Sequence, residues 1–254
     1  MNENLLQAID KSYQNFLNPE SDYGERSNKK IIPIHSFIAK TLSEKLGEEF
    51  KINSLGFGNN KEKKVNGQYY DKNVDICISY KDIDISGISV KFITGNYKQN
   101  SNNFFENLLG ETANIRRKNF KYANFMIMPE YLPYWTNSPT KLTKIEEIDE
   151  NNLKKYLKLF IDNENCLYHK PDMTFIKLID TNTRNILEKN LYKNINKHDF
   201  KEILLKNYKI SYSDLEKNKL FSKEMKDFLE KVGDFEKFIE AFCNLTKSCI
   251  YGIK

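Results

Sequence analysis

The chain of 254 residues is long enough for one domain, or for a core with an appended part, and its hydrophobic content of 39% can fill a buried core. Charged residues make up 30% of the sequence, and the net charge of +5 is compatible with a polyanionic partner. No apolar run reaches membrane-spanning length and the first residues lack a signal-peptide core, so we expect a cytoplasmic protein that makes no membrane contact.

Two amphipathic helices are expected before the first strands. Residues 1–18 place apolar side chains at helical spacing, and a second helix should run from Pro33 to Gly47. Glu48 or Glu49 at its end could add a carboxylate to a site, although a solvated charge at a helix terminus is the commoner role. Residues 59–66 form a charged loop that either contacts phosphate or is merely solvated.

A hairpin of two strands dominates the middle of the first half. Apolar side chains alternate from Val74 to Ile78, which places Asp75 on the opposite face of that strand. A turn and a second strand over residues 83–92 follow. The alternation of this second strand changes phase near Gly87, which predicts a bulge at that glycine.

The polar face of the hairpin carries groups of opposite charge. Ser89 and Lys91 point away from the apolar side chains of the second strand, so Lys91 should share a face with Asp75. A carboxylate and a lysine on central strands cost free energy when they are buried, unless they pair or serve a site. The two side chains are therefore either a cross-strand ion pair or members of a functional site.

A polar segment and a helix follow the hairpin. Residues 95–103 are rich in Asn and Gln and predict a loop, and apolar spacing then predicts a helix over Phe104–Arg116. Glu106 and Glu111 lie on opposite edges of the apolar stripe of this helix. If the helix packs on the sheet, only one of these two glutamate side chains can point toward Lys91.

The rest of the chain contains one further strand and then mostly helical patterns. Residues 122–128 are apolar and bounded by Pro129, as in a buried strand, and aromatic residues follow at 131–135 that pack under a loop or contact bases. Pro171, Asp172 and Lys177 repeat a PD…K spacing but lack a hairpin partner and a helix carboxylate, so we reject them as an active centre. Four cysteines without a CxxC pair and three scattered histidines argue against a zinc site.

Residues 34–128 resemble the core of the PD-(D/E)xK nuclease superfamily, and of type II restriction endonucleases in particular. In that motif a strand Asp precedes a hairpin strand with the pattern Asp/Glu-x-Lys, which matches Asp75 and the run Ser89-Val90-Lys91. The chain departs from the pattern twice, because Val74 stands in place of the usual proline and Ser89 in place of the second carboxylate. The second departure puts metal binding in doubt unless another acid compensates.

One subgroup of restriction enzymes has Ser-x-Lys on the strand and carries the acid on the following helix. Glu106 is close to where that subgroup places its acid, and Glu111 is the second choice. The resemblance then implies that Asp75 and the helix glutamate hold Mg²⁺ through hard carboxylate oxygens. Lys91 would orient the attacking water and offset charge on the phosphate, and Ser89 would do no more than hydrogen-bond a water.

The activity implied by the resemblance is Mg²⁺-dependent hydrolysis of double-stranded DNA at a specific sequence, leaving 5′-phosphates. Asn and Gln side chains can bond adenine edges and Lys can reach guanine or phosphate, so the polar segment is the expected reader of sequence. A loop that caps the next helix is the alternative role for the same residues. The segment's candidate DNA-binding residues are Asn96, Lys98, Gln99, Asn100, Asn102 and Asn103.

We expect an α/β fold in which a mixed central sheet is flanked by helices, as in restriction endonucleases. Residues 1–143 would form the nuclease core with the N-terminal helices. Residues 144–254 would form a helix-rich part that contacts DNA or makes a homodimer interface, because a palindromic site requires two-fold symmetry. Two other classes remain open, namely a repair nuclease or Holliday-junction resolvase without base readout, and a non-catalytic DNA-binding module.

Overall fold

The computed structural model describes residues 2–18, 28–136, 141–164, 167–188 and 195–252. The strands are β1 (Phe50–Ser54), β2 (Lys63–Val65), β3 (Lys72–Val74), β4 (Ile76–Tyr80), β5 (Ile83–Phe92), β6 (Lys121–Pro129), β7 (Tyr131–Trp135), β8 (Leu142–Glu147), β9 (Met173–Asp180) and β10 (Ser211–Tyr212). The helices are α1 (Asn2–Leu17), α2 (Ile32–Leu46), α3 (Tyr97–Arg116), α4 (Glu150–Ile161), α5 (Thr183–Glu188), α6 (Lys197–Asn207), α7 (Lys223–Val232) and α8 (Phe235–Ser248).

A six-stranded sheet in the order β1-β4-β5-β6-β9-β10 organises the chain. The pairs β1–β4, β4–β5 and β9–β10 are antiparallel, whereas β5–β6 and β6–β9 are parallel. Parallel neighbours require a crossover, and α3 provides it between β5 and β6. The mixed α/β sheet expected from the sequence is therefore confirmed.

Helices cover both faces of this sheet. One core cluster joins Ile76, Ile88 and Phe125 of the sheet to side chains of α1, α2 and α8. The other cluster joins Met126 and Ile176 to side chains of α3, α4 and α7. Because both faces are buried, β6 is apolar along almost its whole length, as is usual for a central strand of parallel neighbours.

The C-terminal part is rich in helices, as expected, and it also completes the sheet. The boundary expected between residues 143 and 144 falls inside β8, and β9 and β10 follow it in the chain. Phe175 of β9 stacks on Phe125 of β6 with ring centroids 4.1 Å apart. The two parts of the chain are therefore continuous through one sheet and one core.

Two local expectations are wrong. The register shift between β4 and β5 leaves Ile85 without a partner, so the bulge lies two residues before Gly87. Gly87 is required for a different reason, since a Cβ there would lie 2.6 Å from Val74 Cγ1. The segment 95–103 is also not a loop throughout, because α3 begins at Tyr97.

α3 begins earlier than apolar periodicity predicts, because hydrogen bonds to β7 hold the residue that precedes the helix. Asn96, immediately before the helix, has a positive φ of 52°. Its backbone N–H donates to the carbonyl of Pro133 at 3.0 Å, and its side-chain oxygen accepts from the Trp135 N–H at 2.8 Å. These bonds to β7 fix the direction of the chain before the helix, so the polar residues after Asn96 lie in its first turns.

Within the described ranges, no helix combines the length and apolar character that crossing a membrane requires. Among the described residues, Cys77, Cys243 and Cys249 are free thiols. Trp135 is buried and meets the ring of Phe200 edge to face at 5.0 Å. The packing role considered for this aromatic segment is therefore the one that Trp135 fulfils.

Candidate active site

Asp75 lies in the break between β3 and β4 and is held by two other strands. The hydroxyl of Ser54 in β1 donates to the backbone carbonyl of Asp75 at 2.9 Å. The backbone N–H of Val90 in β5 donates to its carboxylate oxygen Oδ2 at 2.6 Å. This bond places the carboxylate beside Val90, the residue between Ser89 and Lys91 in the sequence, and its second oxygen has no hydrogen-bond partner among the described residues.

Ser89 and Lys91 follow the alternation of β5, as the sequence predicts. Ser89 is buried and pairs in register with Asn124 of β6, whereas Lys91 is half-buried. No ion pair of Lys91 occurs within the part of the chain that the structure describes. A simple cross-strand salt bridge with Asp75 is therefore not what places this lysine on the sheet.

Glu62, just before β2, lies within electrostatic reach of Asp75. Burial raises the pKa of the Glu62 carboxyl, and the negative charge of Asp75 raises it further. The charges of Lys91 and Lys72 act in the opposite direction. A bound cation, or a metal that also binds phosphate, would reduce the repulsion between these two carboxylates near Lys91.

His35 of α2 is fully buried near the same groups. Neither ring nitrogen has a hydrogen-bond partner among the described residues. Burial lowers the pKa of His35, while the charge of Asp75 raises it and that of Lys91 lowers it. The imidazole therefore lies within electrostatic reach of both residues, as a neutral group with unused hydrogen-bonding capacity.

The sequence gives little sign that Glu62 and His35 belong to this site. Glu62 stands in a run of lysines and asparagines, where a lone glutamate is ordinarily a solvated charge. His35 lies on an apolar helix face, where a histidine is ordinarily a core residue. Only the packing of α2 and of the segment before β2 against the hairpin brings them to Asp75.

Glu111 of α3 is the helix glutamate on the side of Asp75. Its carboxylate accepts from Lys72 of β3 at 2.7 Å, and their side chains are 18% and 26% exposed. Burial lowers the pKa of Lys72, but the hydrogen bond and charge of Glu111, followed by the charge of Asp75, raise it above its usual value overall. Burial, and then the charges of Glu111 and Asp75, raise the pKa of Tyr122 beneath them.

Glu106 lies on another side of α3 and is exposed. Its charge acts on Lys155 of α4, whose pKa burial lowers and Glu106 raises. The charges of Asp75 and Lys91 therefore act on Glu62, and those of Asp75 and Glu111 act together on Lys72 and Tyr122. Glu106 instead acts on Lys155 of α4. Glu48 and Glu49 are exposed in the turn between α2 and β1.

Several of the candidate DNA-binding side chains at the start of α3 have partners within the protein. Lys98 forms an ion pair with Asp149 at 2.7 Å, and Asn102 accepts from Lys155 at 2.9 Å. The amide of Asn100 donates to the carbonyl of Asn96 at 2.8 Å. Gln99 and Asn103 are exposed one helical turn apart, so they are the members of the set that face solvent together.

The residues around Asp75 suit a divalent metal that keeps other ligands. Within the described ranges, no three His, Cys, Asp or Glu side chains lie close enough to hold an ion by themselves. Mg²⁺ is often bound by only one or two carboxylates together with waters and substrate phosphates. Asp75, with its free oxygen, and the repelled carboxylate of Glu62 match that requirement.

The second PD…K spacing has a structural role, in agreement with its rejection from the sequence. Arg116 donates to both carboxylate oxygens of Asp172 at 2.9 Å. The same carboxylate accepts from the Tyr122 N–H at 2.9 Å. Asp172 therefore joins the end of α3 to β6 and β9, and its oxygens are fully used.

The comparisons with known proteins leave the family open. No protein-family model matches the chain, and no curated protein matches it significantly. Among solved structures, the small subunit of the heterodimeric restriction endonuclease R.BspD6I aligns with 12% identity and a TM-score of 0.33, over 95% of this chain and 99% of that chain. A TM-score of this size is below the range of chains that share a fold.

The unpartnered imidazole of His35 has a testable consequence for stability. A buried polar group without a partner costs on the order of 1–3 kcal/mol, so we expect His35→Leu to raise the free energy of unfolding by about 1 kcal/mol. Urea denaturation measures this change, and His198→Leu at an exposed position is the control, with no gain expected. A loss of stability on His35→Leu would show that the ring has a structural function.

Proposed function

We propose that this chain is a Mg²⁺-dependent endonuclease that hydrolyses phosphodiester bonds of double-stranded DNA at a specific sequence. The observation that supports it best is the fixed carboxylate of Asp75, which accepts from Val90 in the strand that carries Lys91, with the Glu62 carboxyl within electrostatic reach of both residues. A structural ion pair does not require a second carboxylate near it, whereas a site that binds a metal and a phosphate does require one.

Each side chain has a role that follows from its position. Asp75 and Glu62 would hold Mg²⁺, which when bound would withdraw electrons from the scissile phosphate and lower the pKa of water. Lys91 would donate hydrogen bonds to a phosphate oxygen and balance the charge that develops there during attack. Water adds to phosphorus, the bond to the 3′-oxygen breaks, that oxygen takes up a proton, and a 5′-phosphate remains.

Glu111 would act through Lys72. The carboxylate holds the lysine amine at 2.7 Å, on the side of the site where Tyr122 and Asp75 also lie. A lysine fixed in this way would keep a positive charge toward DNA while balancing the nearby acids. We therefore assign the supporting acid of the helix to Glu111 and not to Glu106.

Incubation of a plasmid of known sequence with the protein and Mg²⁺ tests the activity, with EDTA as the control. We expect discrete fragments whose sequenced ends share one recognition sequence and carry 5′-phosphates. A smear would indicate a nuclease without base readout, and cuts confined to branched DNA would indicate a resolvase. Binding without any cleavage would contradict the enzyme and leave a DNA-binding module.

Sequence readout should depend on the exposed part of the polar segment. Gln99 and Asn103 face solvent together at the start of α3, where amide side chains can bond base edges. We expect Gln99→Ala combined with Asn103→Ala to change or relax the fragment pattern while non-specific DNA affinity falls less than about threefold. Lys98→Ala is a matched control, because Lys98 is engaged by Asp149. An unchanged pattern and rate would remove these residues from recognition.

A palindromic sequence presents the same target on each strand, so we propose that two copies of the chain act together, each cutting one strand. Light scattering during size-exclusion chromatography measures the mass in solution with and without DNA. A dimer in either condition supports the assignment. A monomer that still cuts both strands at once would contradict it.

A further inference from the structure

Two exposed aromatic rings, Tyr69 and Tyr168, contact Arg117 at the end of α3, and exposed Tyr70 follows Tyr69 in the chain. Tyr69, Tyr70 and Tyr168 are 72%, 53% and 46% exposed, among the highest values of any large apolar side chain described. The Arg117 guanidinium lies 5.0 Å from the centre of the Tyr168 ring, and its Nη1 donates to the Tyr69 hydroxyl at 3.4 Å. We call these four residues the tyrosine–arginine patch.

The loop that carries Tyr69 and Tyr70 is rigidly attached although its side chains face solvent. Asn114 of α3 is buried, and its side-chain oxygen accepts from the Tyr69 N–H at 2.8 Å. Its side-chain amide donates to the Tyr70 carbonyl at 2.9 Å, and its backbone carbonyl accepts from the Gln68 N–H at 2.8 Å. One asparagine therefore holds three consecutive residues of the loop.

Gly67 allows this attachment. A Cβ at that position would lie 2.1 Å from Asn114 Nδ2 and 2.4 Å from the Tyr70 carbonyl oxygen, so only glycine admits the close approach. Rings on a fixed backbone lose little conformational freedom when they bind a flat partner. Exposed aromatic side chains that are grouped on one surface often mark a site of interaction.

The loop adjoins the candidate active site. Lys72 follows it directly and pairs with Glu111, and the Tyr70 hydroxyl is close enough to raise the pKa of both Lys72 and Tyr122. Nucleic acid held at Asp75 and Lys91 would therefore pass beside Tyr69 and Tyr70. Two rings and a guanidinium suit a base and its phosphate better than they suit an apolar protein surface.

We propose that the tyrosine–arginine patch stacks against a base of the DNA strand that lies in the active site, with Arg117 beside the adjoining phosphate. Aromatic rings stack on any base, because every base has a π-face, so the patch would position DNA without reading its sequence. The inference rests on the proposed nuclease function. The patch would add a contact with the DNA strand next to the scissile phosphate, and this contact would unstack a base or hold the strand in place.

Chemical modification tests the contact directly. The protein is treated with tetranitromethane in the presence and absence of sonicated duplex DNA, and nitrated tyrosines are mapped by mass spectrometry. Tyr69 and Tyr70 should become several-fold less reactive with DNA, while Tyr251, which is 85% exposed, reacts equally in both samples and serves as the internal control. DNA binding measured in the same samples with equal nitration of Tyr69 and Tyr70 would overturn the inference, and would suit a patch that docks another protein.

Matched variants separate stacking from other contacts. In an Asp75→Asn background, fluorescence anisotropy with labelled plasmid fragments measures the Kd for DNA. Tyr69→Leu with Tyr70→Leu should weaken binding on the order of tenfold, whereas Tyr69→Phe with Tyr70→Phe, which keeps both rings, should stay within about twofold of the parent. Equal losses in the two pairs would assign the contact to the hydroxyls and overturn stacking.

The failure of this inference differs from the failure of the proposed function. If the wild-type protein cleaves DNA and the leucine pair in the Asp75→Asn background binds DNA normally, the patch is not a DNA contact and the nuclease assignment stands. If the wild type neither binds nor cleaves duplex DNA, both proposals are overturned together. Circular dichroism of each variant confirms that the fold is retained before either conclusion is drawn.

Discussion

Lys91→Met and Asp75→Asn are each expected to lower the rate of Mg²⁺-dependent DNA cleavage by on the order of 100- to 1,000-fold or more, while the protein stays folded. Lys91→Met keeps the length of the side chain and removes the charge that would stabilise the phosphate. Asp75→Asn keeps the shape of the carboxylate and its acceptor oxygen toward the Val90 N–H, but removes the charge that would hold Mg²⁺. Initial rates on a supercoiled plasmid measure both effects.

An exposed ion pair on the same sheet provides matched controls for these two variants. Lys51 of β1 and Asp82 in the turn between β4 and β5 lie 2.6 Å apart and are largely exposed. Lys51→Met and Asp82→Asn make the same chemical changes away from the site, and we expect cleavage rates within about twofold of the wild type. Cleavage by Lys91→Met or Asp75→Asn at the control rate would remove the Asp75–Lys91 site from the mechanism.

Glu111→Gln is expected to reduce cleavage by about 10- to 100-fold, and Glu106→Gln by less than about threefold. The difference follows from position, because Glu111 holds Lys72 beside Asp75, whereas the charge of Glu106 acts on Lys155. Comparison of the two variants under single-turnover conditions, with folding checked by thermal denaturation, measures the ranking. Since both substitutions change a carboxylate to an amide on the same helix, each variant is the control for the other.

The opposite ranking would support the assignment that family spacing favours. In the Ser-x-Lys subgroup that the chain resembles, the acid lies at the position nearest Glu106. A large loss in Glu106→Gln with normal cleavage by Glu111→Gln would require α3 to rotate when DNA binds. The structure in its present form places Glu111 on the side of the site.

Strand periodicity predicts part of the hairpin that carries Asp75 and Lys91. Lys91 lies in β5, as the two-residue repeat predicts, whereas Asp75 lies in the break between β3 and β4 and not within a strand. The repeat of β5 can be predicted because it does not depend on the packing of distant segments. The mixed sheet flanked by helices is expected instead from the resemblance to restriction endonucleases, and the structure has it.

The parts of the site that sequence could not predict depend on contacts between distant segments. Glu62 and His35 join the site only through the packing of their segments on the hairpin. The rotation of α3, which selects between Glu106 and Glu111, depends on how the whole helix packs. The start of that helix depends on the bonds of Asn96 to β7, which lies far along the chain.

Under the proposed function, the groups around Asp75 and Lys91 hydrolyse DNA. The most direct measurement compares the wild type with a variant carrying both Asp75→Asn and Lys91→Met, purified in parallel and incubated with supercoiled plasmid at fixed Mg²⁺ concentration. We predict that the wild type converts the plasmid to discrete linear fragments, while the double variant leaves it supercoiled. Equal cleavage by both preparations, or no cleavage by either at any Mg²⁺ concentration, would contradict this assignment.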